Sequence, residues 1–186
     1  MNAHMPPHKP DSTAGRTASR RLAFAAVIAA LTVVFLYIGS LTVLDMSAVV
    51  ICALLTMLVV VESGSRTAWL TAAAAGVLAL LLLPSKLLAV LYICFGGIYP
   101  ILKAHLEKYA YWISWIIKIS LMDSMLILVI VLSRLVFVAE DPFFDYSWIV
   151  LLAASVIFVV YDLALTTCVT AYITRIRKRL GLKNLF

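Results

Sequence analysis

An all-α polytopic membrane protein, a bundle of six transmembrane helices with both termini on the cytoplasmic side, is the fold class this chain predicts. Three observations carry the prediction. Of its 186 residues, 65% are apolar and only 13% charged, with a mean hydropathy of +1.09. A soluble domain cannot cover that much apolar surface with so few charges, whereas lipid solvates it. The apolar residues fall into six runs that are candidates for crossing about 30 Å of hydrocarbon, which takes ~20 residues. The basic residues are one-sided. Of fifteen Lys and Arg, twelve lie in the tails and alternate loops: Lys9, Arg16, Arg20, Arg21, Arg66, Lys103, Lys108, Arg175, Arg177, Lys178, Arg179 and Lys183. The remaining loops hold Lys86 with the acids Asp45, Glu140, Asp141 and Asp145. Cationic flanks resist translocation, so the basic side is expected to be cytoplasmic.

Residues 1–20 read as a disordered basic tail, rich in Pro, Ser, Thr and charge. Residues 21–175 form the membrane domain, and 176–186 a second basic tail. The first span is expected from about Leu22 to Ser40. Behind Arg20-Arg21 it imitates a signal peptide, but its length favours a retained helix. The second runs from about Met46 to Val61, the third from Ala68 to Leu83 and the fourth from Leu87 to Leu102. These three are short for a full crossing. Pro84-Ser85-Lys86 makes a tight turn between the third and fourth, because Pro84 cannot continue the hydrogen-bond ladder. Gly96-Gly97 and Pro100 predict a kink or early stop in the fourth. Lys103 to Tyr109 then reads as a short cytoplasmic loop or interfacial turn. The fifth span is expected near Tyr111 to Val138 and the sixth near Trp148 to Thr174, both long enough to tilt. An even count puts both tails on one side, as their charge requires. Trp112, Trp115, Tyr146 and Trp148 near span ends match an aromatic belt. The Arg175–Arg179 cluster reads as an anchor to headgroups.

Several function classes are excluded or disfavoured. The net charge of +6 suits anionic lipid headgroups rather than nucleic acid, since no basic-aromatic surface stands outside the spans. Cys52, Cys94 and Cys168 lie within apolar segments and read as packing residues. No His, Cys, Asp or Glu cluster has metal-ligand spacing, so no metal or other cofactor is expected. No nucleophile-base-orienter set and no phosphate-cradling glycine loop is present, so the chain is not read as an enzyme and cannot drive ATP-powered transport alone.

Two constellations remain. In the first span, Ala25 with Ala29 and Ala26 with Ala30 form overlapping small-xxx-small pairs, and Thr32 and Gly39 fall near the stripe of Ala25. They serve either packing within the bundle or docking of a separate membrane subunit. The second constellation is the intramembrane charges. Each is expensive in lipid and should face the bundle, a cavity or a partner. Asp123 and Arg134 on the fifth span are eleven residues apart, which returns them to one face, with Ser120 on the same side. At 1.5 Å per residue they stand about 16 Å apart, so each needs another partner. Lys118 points elsewhere and is expected to snorkel to the cytoplasmic interface. On the sixth span, Ser155, Asp162 and Thr166 share a face, with Thr170 at its edge. Asp162 there is the natural partner of a cation, either as a structural contact between spans five and six or in a polar cavity for a solute. Arg134, in the outer half, has a fork suited to an incoming carboxylate or phosphate.

Six helices, this length, both termini inside and the Ala-x-x-x-Ala face resemble the substrate-binding S component of energy-coupling factor transporters, over about Arg20 to Lys183. The resemblance implies a small receptor in the bacterial plasma membrane that captures a vitamin-like micronutrient from outside. It implies that Ala25, Ala26, Ala29 and Ala30 dock a coupling transmembrane subunit that carries two ATP-binding subunits. It also implies a small-molecule site on the outer side and later helices, where Arg134, Asp162, Asp123, Tyr146 and Trp148 are the candidates. The competing expectation is a non-transporting scaffold of a cell-envelope or division complex. A membrane enzyme ranks third.

Overall fold

A computed structural model describes residues 12–42, 44–106, 111–137 and 147–176 of the chain. Every element among them is helical: α1 (Ser12–Leu41), α2 (Asp45–Ser63), α3 (Ser65–Leu82), α4 (Lys86–Leu91), α5 (Tyr99–Leu106), α6 (Tyr111–Phe137) and α7 (Ser147–Ala171). A wide π-helical turn, Tyr92–Ile98, joins α4 to α5 without a break, and another, Tyr172–Ile176, closes α7. By length and composition, six stretches can cross a membrane, the fourth being the continuous Lys86–Leu106. The second, third and fourth are 19, 18 and 21 residues long. The apparent shortness of these runs came from polar residues at their ends that the helices nevertheless include.

The tail boundary also moves. α1 starts at Ser12, so residues 12–20 are helical where composition predicts disorder. Ala14, Arg16, Ala18 and Arg20 are good helix formers, and a helix already nucleated in the apolar stretch extends over them.

Short connections fix the first half of the bundle. Gly64, between α2 and α3, has φ +87°, a conformation that a side chain would strain. Between α3 and α4, the Ser85 side chain accepts a hydrogen bond from the Leu88 N–H at 3.4 Å and caps the new helix. Lys86 reaches back and donates to the carbonyls of Leu80 and Leu83, at 2.7 and 2.9 Å. Its cation thereby meets the negative end of α3. α1 and α2 approach so closely that a Cβ on Gly39 would lie 2.5 Å from the Cβ of Ala48.

The predicted kink or stop near Pro100 takes another form. The Tyr99 N–H bonds five residues back, to the Cys94 carbonyl. Continuing that pattern, the Phe95 carbonyl would need the N–H that Pro100 lacks. The Tyr161 hydroxyl on α7 supplies the missing donor at 2.7 Å. The helix therefore continues to Leu106 and carries Lys103 with it.

The core sits where α1, α2, α3 and the fourth span meet. Leu36, Cys52, Ala75, Ala79, Leu83, Ala89 and Tyr92 are buried there, with small residues letting the helices close up. A second cluster links Ala25, Ile28, Val59, Ala68, Ala72 and Ile101. α6 and α7 lie more openly. Only 22% and 17% of their best spanning windows are buried, against 56% for the fourth span. Broad faces of these two helices therefore turn outward.

Candidate functional site: a buried charge cluster and two outward faces

Asp162, midway along α7, is almost fully buried at 2% exposure. Its Oδ1 accepts hydrogen bonds from the Tyr99 hydroxyl and from Lys103 Nζ. Lys118 Nζ lies 3.2 Å from its Oδ2. Lys103 also donates to the Asp162 carbonyl at 2.9 Å and to Thr166 Oγ1 at 2.7 Å. Thr166 in turn donates to the Asp162 carbonyl at 2.8 Å. The Lys118 ammonium also stands 5.6 Å from the centroid of the Trp115 ring, over which a cation is attracted.

The cluster follows from local structure. Tyr99 and Lys103 are four residues apart on α5, so both project from one face. The π-helical turn before them brings that face onto α7. The Tyr99 ring packs edge-on against Phe158 with centroids 4.9 Å apart. Met122, Leu165 and Ala53 close the apolar surroundings. In such a setting a lone charge is costly, while a paired and hydrogen-bonded one is tolerated.

Sequence reasoning placed Asp162 opposite a cation but did not name the cations. Lys103 is expected in a cytoplasmic loop and Lys118 at the interface, yet their exposures are 0% and 6%. The physical reason is the carboxylate, which holds both ammonium groups inside against the pull of water. The signals were present: Lys118 interrupts an apolar run, and Tyr99 and Lys103 share a helix face.

Asp123 lies elsewhere. On α6, Ser114, Lys118, Met122, Met125 and Val129 are buried toward the bundle. Asp123 sits on the far side, in an open groove with Ile116, Ile119, Ser120, Ser124 and Ile127. Its Oδ1 is shielded and has no hydrogen-bond partner among the described residues. Arg134 lies on α6 near its end and Trp148 at the start of α7, while Tyr146 falls outside the described residues.

The alanine pairs of α1 separate. Ala25 and Ala29 are buried against the bundle, on one stripe with Thr32 and Leu36. They are packing residues, which corrects their assignment to a docking face: α2 and α3 already occupy that side. Ala26 and Ala30 are exposed, on a face about 100° round the helix from that stripe.

At the far end of α2, the Tyr172 hydroxyl donates to Glu62 Oε1 at 3.2 Å and ties the closing turn of α7 to that helix. Among the described residues no group of three His, Cys, Asp or Glu side chains could hold a metal ion. No protein-family model, no characterised protein and no solved structure matches the chain.

Proposed function

We propose that the chain is an integral membrane substrate-binding subunit for uptake of a small, vitamin-like micronutrient. Like the S components it resembles, it docks a coupling membrane subunit that carries ATPases. In this reading it lies in a bacterial plasma membrane with both basic tails in the cytoplasm. The observation that carries the reading is the division of small residues on α1. Ala25 and Ala29 close the bundle, and Ala26 and Ala30 leave a second, outward small-residue face on which another membrane helix can approach. The less buried second half, α6 and α7, supports placing the solute among the later helices, with Arg134, Tyr146 and Trp148 at the outer end. ATP hydrolysis belongs to the partner, since the chain has no phosphate-binding loop.

A second reading, a non-transporting scaffold of an envelope complex, is favoured by the closed state of Asp162. Its carboxylate is engaged by Tyr99, Lys103 and Lys118 instead of facing a cavity. Purification in mild detergent at native expression level, with mass spectrometry of co-purifying proteins and small molecules, separates the two. A coupling subunit with ATPases, or a bound vitamin-like solute, is expected. Envelope-assembly proteins without any small molecule would overturn the receptor reading in favour of the scaffold.

A further inference from the structure

α6 carries opposite polar groups on opposite sides. Its inner face gives Lys118 to the buried cluster. Its outer face gives Asp123, flanked by Ser120 and Ser124 and walled by Ile116, Ile119 and Ile127. Asp123 stands at the midpoint of the spanning stretch Ser114–Leu132. In a membrane this is the depth at which a carboxylate facing lipid is most costly. Among the described residues the bundle offers it little relief. Its shielded Oδ1 has no partner among the described residues, and the nearby cations Lys103 and Lys118 are engaged by Asp162 on other faces.

We propose that this groove docks a transmembrane helix of a different protein, one that presents a Lys or Arg side chain at mid-span to Asp123. The isoleucine walls suit an apolar helix, the serines offer hydroxyls beside the ion pair, and the carboxylate selects a cationic partner. Charge complementarity argues against a second copy of this chain: a two-fold axis through the groove would bring one Asp123 carboxylate against another. The proposal does not rest on the transport reading. α6 packs on α4, α5 and α7, whereas the face formed by Ala26 and Ala30 belongs to α1.

The test uses the full-length chain in phosphatidylcholine vesicles with two labelled transmembrane peptides. Both have a Leu/Ala sequence, with either Lys or Met at the centre. Energy transfer to the labelled protein is expected to show the Lys peptide binding about tenfold more tightly. Asp123→Leu should bring it down to the Met level, and Asp123→Asn should weaken it less. Both variants should keep or raise the melting midpoint of the chain, because an unpartnered charge is removed from an outward face. This readout separates loss of docking from loss of fold. Equal binding of the two peptides, or Lys-peptide binding that survives Asp123→Leu, would overturn the proposal. So would self-association of the wild-type chain that disappears in Asp123→Asn, since the groove would then be a contact between copies.

Discussion

At Asp162 one carboxylate serves two ammonium groups, so the three side chains do not contribute independently. Lys103 makes the denser set of contacts, to the Asp162 carboxylate, its carbonyl and Thr166. Lys118 makes one longer contact to Oδ2. Lys103→Met should therefore destabilise the folded chain by about 3–5 kcal/mol, the usual cost of breaking a buried pair. Lys118→Met should cost less, about 1.5–3 kcal/mol, the worth of one hydrogen bond to a charged group. Asp162→Leu should be the most damaging, because it takes the counter-charge from both lysines. The triple variant Lys103→Met, Lys118→Met, Asp162→Leu should recover much of that loss, since no buried charge remains. Denaturant titration in mixed micelles measures all four. Additive effects across the set would mean that the three do not form one unit. At this scale the sequence made the need legible but not its answer. An Asp within an apolar run demands a cation, and any of Lys103, Lys118 and Arg134 could have supplied it. The wide turn ahead of Tyr99 sets the direction of α5 and brings Lys103 to Asp162, while Lys118 arrives from the inner face of α6.

Among the elements, the position of helices was readable where apolar runs met turn residues. The Pro84-Ser85-Lys86 turn falls at a helix boundary as its backbone chemistry dictates, while Gly64 marks the α2–α3 boundary through its positive φ. The fourth span was not readable in the same way. Pro100 signals a break in isolation, but a hydroxyl 61 residues later, on Tyr161, completes the hydrogen bonding around it. Such a long-range partner leaves no local trace. The approach of α1 to α2 makes a further expectation specific. Gly39→Ala should overpack against Ala48 and cost about 1–3 kcal/mol. Adding Ala48→Gly should return most of it, because the two Cβ positions compete for the same space. An undiminished loss in the double variant would show that the glycine is required for another reason. The alanine face of α1 divides similarly: Ala25→Leu should destabilise the bundle, whereas Ala26→Leu and Ala30→Leu should leave its melting midpoint within a few degrees of the parent.

For the whole molecule, composition and the six apolar runs were enough to predict an all-helical architecture, and among the described residues six helices of spanning length bear it out. The sidedness rests on charge. With Lys103 buried in the bundle, eleven of the fifteen Lys and Arg are still expected on one side, so reporter fusions after Arg66 and after Phe186 should read as cytoplasmic and a fusion at Lys86 as external. The reverse pattern would invert the proposed direction of solute capture. Function was less legible than architecture because it depends on what meets the outward faces of α1 and α6, and a single chain's packing pattern does not name its partners. The most direct test of the central claim compares the parent chain with the Ala26→Leu, Ala30→Leu double variant. Both are purified at native expression level and assayed for bound small molecule and for the coupling subunit with its ATPases. The account predicts that the variant keeps its solute and loses the coupling subunit. Retention of that subunit by a folded, solute-loaded variant would contradict it.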